Sequence, residues 1–346
     1  MKLTDFDYYL PKDLIAQQPL SKRDESRLLV LHRKSSKIED RTFRDIIEYL
    51  VPGDTLVLND TKVFPARLFG VDGVKNKQVE ILLHKNYQEQ LWEVLIKPAK
   101  KVKVGTKLQF GDELKGEVIE KKGSRGYIKF EYEGDFFKTL DKVGKTPLPP
   151  YIKREAVESD IEQYQTIYAR HLGAVAAPTA GFHFTHQLLK KISDKGVNLA
   201  FITLHVGIGT FSPIRKEHII EHHMEEEYYE ISSDTAEIIN QTTGKIVVVG
   251  TTTVRALETA SRNPKSKIQN PKSKIILSSG FTDLFIYPGF DFKVTDMLIT
   301  NFHLPKTTLL ILVSAFAGRE NILSAYKHAI NKGYRFYSYG DAMLII

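Results

Sequence analysis

The sequence predicts an α/β domain on a mostly parallel sheet, interrupted by a small antiparallel β domain. Three observations carry this. After about residue 150, short apolar strands alternate with helical segments, the pattern of βαβ units. Between residues 62 and 149, the runs "QVEILLH", "LWEVLIK", "KLQFG", "ELKGEVIEKK" and "RGYIKFEYEG" are short, partly alternating and separated by glycine and lysine. That spacing fits a small antiparallel barrel or sandwich. Between the two characters lies "TPLPPYI" (146–152), a proline-rich boundary.

Taken in order, "DTLVLND" (54–60) reads as a buried strand, because Leu56, Val57 and Leu58 form an apolar run that ends in polar residues. "NLAFITLHV" (198–206) is a strand, and "DTAEIINQTTG" (234–244) a helix with Asp234 as N-cap. "KIVVVG" (245–250) is a strand, and "TTTVRALETASR" (251–262) a helix. In "ITNFHLPKTTLLILVSAFAG" (299–318) Pro305 suits a first helical turn, which places Asn301 and His303 at the mouth of an apolar helix. "NPKSKI" occurs at 263–268 and again at 270–275, and its composition makes it a polar surface loop.

Composition narrows the function. The 346 residues suffice for two domains, and the absence of cysteine excludes disulfides, thiol nucleophiles and cysteine-ligated metals. The N-terminus lacks an apolar signal region, and the longest apolar run, "LLILVSAFAG" (309–318), is far short of the roughly 20 residues of a membrane span. A soluble cytoplasmic protein with no membrane partner is expected. The net charge of +7 favours an anionic partner such as nucleic acid, but a plain basic enzyme fits it as well.

Chemistry is expected beyond the strand ends, where open α/β sheets bind ligands. "VVVGTTTVRALE" (247–258) offers a helix N-terminus to an anion, with Thr251, Thr252 and Thr253 as ligands and Arg255 as a bidentate clamp; the alternative is simple capping. The spacing of a Walker loop is missing. In "TLHVGIGTF" (203–211) His205 ends a strand, and Gly207 and Gly209 allow close backbone approach to a ligand. "AAPTAGFHF" (176–184) holds His183 between two phenylalanines, after Thr179 and Gly181. "EHHMEEEYY" (221–229) gathers histidines and glutamates, but without H-E-x-x-H spacing and with adjacent histidines on opposite faces, so no metal site is expected.

These stretches occur together, in order, with "LNDTKVFPARL" (58–68), "YQTIYAR" (164–170), "FIYPGF" (285–290), "TNFHLP" (300–305) and "YRFYSYGDAM" (334–343). Over its full length the chain resembles the S-adenosylmethionine:tRNA ribosyltransferase-isomerases of the queuosine pathway. The resemblance implies a discontinuous α/β domain (1–61 and 150–346) carrying an inserted β-barrel (62–149). It implies transfer and isomerisation of the ribosyl moiety of S-adenosylmethionine onto 7-aminomethyl-7-deazaguanine at the tRNA wobble position. The product would be epoxyqueuosine, with adenine and methionine released. Three positions depart from the family pattern: Phe182 stands where leucine is usual, Thr253 where serine is usual, and Glu225 where histidine is common.

That chemistry needs proton transfers near neutral pH, which suit histidine and carboxylates, and no metal or redox cofactor, because S-adenosylmethionine is a co-substrate. His183, His205, Asp60 and His303 are the expected catalytic groups, with His183 a neutral base whose pKa burial lowers. Thr179, Gly181, Phe182, Gly207, Gly209, Thr252, Thr253, Arg255, Asn301 and Asp341 are expected to contact substrate, and the Phe182 and Phe184 rings to pack on a base. Arg67 and the lysines of "IKPAKKVKVGTK" (96–107), namely Lys97, Lys100, Lys101 and Lys103, are expected to meet tRNA phosphates. A solvated barrel edge guarded by lysine is their alternative. A monomer is expected. An S-adenosylmethionine methyltransferase and a non-catalytic RNA-binding protein are the competing classes. The missing glycine-rich fingerprint argues against the first, the many polar turns at strand ends against the second.

Overall fold

The computed structural model describes residues 1–73, 77–211, 214, 216–262 and 275–346. All of the duplicated "NPKSKI" loop except Ile275 lies outside them. A nine-stranded sheet runs in the order Ser278–Thr282, Glu227–Ile231, Asn198–Leu204, Thr55–Asn59, Ile246–Val249, Met297–Asn301, Ala342–Ile345, Arg27–His32 and Lys37–Thr42. Parallel pairing holds its centre, from Asn198–Leu204 to Met297–Asn301, and joins Ala342–Ile345 to Arg27–His32. The remaining neighbours are antiparallel, so the sheet is mixed.

The central strands are apolar on both faces because both faces are covered. Val57, Ile202, Val248 and Leu298 pack against the helices Thr251–Ala260, Thr308–Ala317 and Arg319–Asn331. Leu56, Leu58, Val247 and Ile299 point the other way, onto Phe43, Phe184 and the helix His186–Asp194, as period-two alternation requires. Among the described residues no single helix is long and apolar enough to cross a membrane.

The second sheet is a closed antiparallel barrel. Its strands follow the order Arg67–Asp72, Gln78–Gln88, Leu91–Lys97, Arg125–Glu131, Leu114–Lys122, Lys107–Phe110, and the first pairs with the last. Closure removes the sandwich alternative and leaves no long free edge. Phe64, Trp92, Phe110 and Phe130 fill the interior, with Phe136 and Leu140 of the helix Phe136–Val143. A short parallel pair, Thr61–Val63 with His171–Ala174, lies where the chain leaves the large sheet for the barrel and returns.

Two helix starts differ from expectation. Ser232, not Asp234, caps the helix Ser233–Asn240, accepting from the Thr235 N–H; three consecutive residues there are competent caps. The apolar helix begins at Thr308 behind the Thr307 cap, so Pro305 precedes the first turn and Asn301 closes a strand instead.

Candidate active site

The strands Thr55–Asn59, Ile246–Val249 and Met297–Asn301 run parallel, and their carboxyl ends share one edge of the sheet. Gly250 turns the chain there with φ of 90°, a backbone glycine adopts without penalty, and the turn Thr179–His183 packs against the end of Met297–Asn301. Between them lies a cavity of about 50 Å³ lined by Thr179, Thr252, Asn301 and His303, with the Tyr151 and Tyr337 rings.

A chain of hydrogen bonds runs through this wall. The Thr179 hydroxyl donates to Asn301 Oδ1 (2.9 Å), and Asn301 Nδ2 meets His183 Nε2 (3.2 Å). An amide nitrogen only donates, so Nε2 accepts and the ring proton is on Nδ1, facing Ser26 Oγ at 2.7 Å. His183 is buried against the Phe43 ring, centroids 4.9 Å apart. Burial, with the charges of Arg335 and Arg23, pushes its pKa down to about 3. The imidazole is therefore neutral, but both nitrogens are engaged and its basicity is weak at neutral pH. Gly181 permits the turn: a Cβ there would lie 2.2 Å from the Tyr168 hydroxyl. Phe182 lines a neighbouring cavity. Phe184 is buried edge-on against Phe43 and presents no face to a ligand.

His303 lines the strand-end cavity, its Nε2 2.8 Å from Thr300 Oγ1; burial lowers its pKa to about 3 as well. Thr252 also lines the cavity, whereas Thr253 is fully buried and donates back to the Val249 carbonyl at 2.6 Å, a helix back-bond in place of the expected ligand contact. Arg255 is not a free clamp. It is buried, paired with Glu227, and donates to the carbonyls of Thr282 (3.1 Å) and Leu284 (2.9 Å), tying the helix to the sheet margin. Asp341 accepts the N–H groups of Arg27 (3.1 Å) and Arg335 (2.8 Å), and so holds the 335–341 loop against the first strand of the sheet. Gly207 donates its N–H to Glu227 (2.8 Å), and Gly209 lies against Glu225.

Asp60 and His205 form a second cluster at the same sheet edge. Burial raises the Asp60 carboxyl above its ordinary range, against the Thr203 hydroxyl (2.7 Å) and His171 Nε2 (3.5 Å), which favour the anion. His205 bonds Thr61 Oγ1 through Nδ1 at 2.8 Å and stacks on Tyr228. Its pKa is lowered by burial and by His171. Sequence reasoning missed His171 and Thr203. Each lies in or beside a motif, but only the tertiary fold brings them to Asp60. Asn59 joins the two places, with Nδ2 3.0 Å from the Leu204 carbonyl and 3.5 Å from Thr252 Oγ1.

On the barrel side, a groove of about 1030 Å³ between the domains is lined by Arg67 and Lys97, together with Lys145, Lys153 and Arg154. Arg67 is pinned by Glu80 (2.6 Å) and the Leu148 carbonyl (2.8 Å). Lys100, Lys101 and Lys103 are exposed and lie outside the groove. In the histidine–glutamate stretch, His222 packs on Phe285, while Glu225 turns to Arg125 and His84 of the barrel. Among the described residues no three metal-ligating side chains converge.

A mixed α/β sheet with an inserted closed barrel, and neutral histidines beside hydroxyls and an amide at its strand ends, defines a class of two-domain proteins with a basic interdomain groove. The chain belongs to the queuosine biosynthesis protein family, whose model matches residues 3–345. It is 52% identical to the S-adenosylmethionine:tRNA ribosyltransferase-isomerase of Halothermothrix orenii and 53% to that of Carboxydothermus hydrogenoformans, each alignment covering all of both chains. It is also similar to the crystal structure of the S-adenosylmethionine tRNA ribosyltransferase from Thermotoga maritima, at 40% identity and a TM-score of 0.56, over 99% of this chain and 100% of that one.

Proposed function

We propose that this chain transfers and isomerises the ribosyl moiety of S-adenosylmethionine onto 7-aminomethyl-7-deazaguanine at the tRNA wobble position. The product is epoxyqueuosine-tRNA, with adenine and methionine released. The observation that carries this is the identity of about half of all residues, end to end, with ribosyltransferase-isomerases. The sulfonium acidifies the neighbouring ribose C5′, a base removes that proton, ring opening expels adenine, the free aminomethyl group attacks the opened sugar, and methionine leaves from C5′ as the epoxide closes. Thr179, Thr252 and Asn301 line the strand-end cavity, whose volume of about 50 Å³ takes only a small part of the co-substrate, and they contact that part. Asp60, its pKa raised and His171 beside it, suits proton transfer better than His183. His183 holds Asn301 in place. The enzyme acts as a cytoplasmic monomer with no resident metal.

Purified protein, S-adenosylmethionine and tRNA bearing the aminomethyl base should yield epoxyqueuosine by mass analysis, with adenine and methionine, and turnover should survive chelation. S-adenosylhomocysteine as product would indicate a methyltransferase. Binding of tRNA without turnover would indicate a plain RNA-binding protein. Loss of turnover on chelation, restored by one metal, would refute the metal-free part.

A further inference from the structure

A second cavity, of about 430 Å³, meets the strand-end cavity at the 179–183 turn. Thr179 and Asn301 line one, Phe182 and His183 the other, and Ser338 lines both. The second is rich in cations. Arg23, Arg154 and Arg335 reach it, and none of its lining residues is Asp or Glu.

The three arginines differ in their partners. Arg154 is clamped by both oxygens of Asp160 at 2.6 Å. Arg335 is 3.8 Å from Asp341 and donates to the Gln18 carbonyl at 3.3 Å. Arg23 pairs with no carboxylate among the described residues. Its donors hold the carbonyls of Gln165 (2.7 Å), Phe182 (3.4 Å) and Glu162 (3.1 Å), and burial lowers its pKa. Carbonyl dipoles solvate the guanidinium but leave its charge uncancelled, and a half-buried cation without a counter-ion is costly unless a ligand supplies the anion.

Phe182 and Tyr339 border the cavity, their rings 6.0 Å apart and tilted by 30°, but both are packed into the core at 6% and 3% exposure. Guanidinium donors gathered in one cavity fit a phosphate group. S-adenosylmethionine fits less well, because its net positive charge opposes the guanidinium of Arg23, which has no carboxylate partner among the described residues. Arg154 lines both this cavity and the interdomain groove.

We propose that this cavity takes one backbone phosphate of the RNA substrate, held by Arg23 and Arg335. The site rests on the reading of tRNA as substrate.

Arg335→Ala, Arg335→Lys and Arg23→Gln test this, with tRNA affinity measured across a salt series and KM taken separately for tRNA and S-adenosylmethionine. Arg335→Ala should weaken tRNA binding roughly tenfold. It should flatten the log K against log salt slope by about 0.7–0.9, the share of a single phosphate, and leave KM for S-adenosylmethionine unchanged. Arg335→Lys should keep the slope, because lysine still offers a point charge. Arg23→Gln should act likewise; if it fails to fold, deprived of its bonds to three carbonyls, Arg335→Ala decides. A folded Arg335→Ala with wild-type tRNA affinity and slope overturns the proposal, as does a raised KM for S-adenosylmethionine alone. Failure of the wild-type protein to bind any tRNA would instead overturn the parent reading.

Discussion

Asn301 directs its amide nitrogen at Nε2 of His183 across 3.2 Å, while its amide oxygen accepts from Thr179. The histidine and the amide therefore fix each other's orientation, and one side chain of the pair has little meaning without the other.

His183→Ala, which frees Asn301 from its position, should lower turnover by roughly 10²-fold while the fold survives. Asn301→Ala should show a loss of the same order, and the double variant should fall no further than the worse single one, as groups acting as a unit do. Measured kcat values that multiply in the double variant would show two independent roles. Near-normal turnover in His183→Ala would leave the ring purely structural.

The two buried histidines also predict a pH dependence of stability. His183 and His303 are neutral when folded, with pKa values pushed down to about 3, and titrate near 6.5 when unfolded. Below pH 6.5 the unfolded chain takes up protons that the folded one refuses, so stability falls as pH falls, throughout the window from 6.5 to about 3. Each histidine contributes a slope of about 1.4 kcal/mol per pH unit well inside that window. Urea midpoints at pH 7 and pH 5 should therefore differ less for His303→Asn than for the parent. Equal differences would mean that His303 is not held neutral.

Much of this site was legible in the sequence, for a physical reason. Strand ends with glycine, threonine and histidine are local patterns, and open α/β sheets place ligands at such ends. Thr179, Thr252, Asn301 and His303 accordingly line one cavity. What local pattern cannot reveal is which partner a side chain takes in three dimensions. Arg255 reads as an anion clamp until Glu227, 28 positions earlier, claims its guanidinium. Asp341 reads as a substrate ligand until two backbone N–H groups take its oxygens, one of them 314 positions away. Barrel closure is likewise non-local: alternation shows the strands, but only the pairing of Val71 with Gln109 distinguishes a barrel from a sandwich.

The Arg255–Glu227 pair should be costly to break on one side. Both side chains are 4% exposed, so Arg255→Ala or Glu227→Ala should destabilise by about 3–5 kcal/mol, each removing the counter-ion of a buried charge. Arg255→Met with Glu227→Leu should lose less than either single change. Urea unfolding of the three variants checks this. Additive losses would show that packing, not charge, holds the helix there.

The exposed lysines of the barrel make a separate prediction. Lys100, Lys101 and Lys103 changed together to alanine should flatten the salt slope of tRNA binding by about 0.7–0.9 for each phosphate they neutralise, with S-adenosylmethionine affinity unchanged. An unaltered slope and affinity in a folded variant would make them solubility residues and leave the basic groove and the arginine cavity to hold the RNA.

The placement of Ala342–Ile345 inside the sheet, between Met297–Asn301 and Arg27–His32, has a consequence for how the protein is made. The hairpin Arg27–His32/Lys37–Thr42 emerges early from the ribosome, yet its inner neighbour follows some 314 positions later. At about 5–20 residues per second, that is roughly 15–60 s during which the apolar edge of Leu28, Leu29, Val30 and Leu31 waits unpaired. Such an edge is a template for stray strand addition, so nascent chains arrested before residue 342 should be the species that chaperones hold and that aggregate when they are absent.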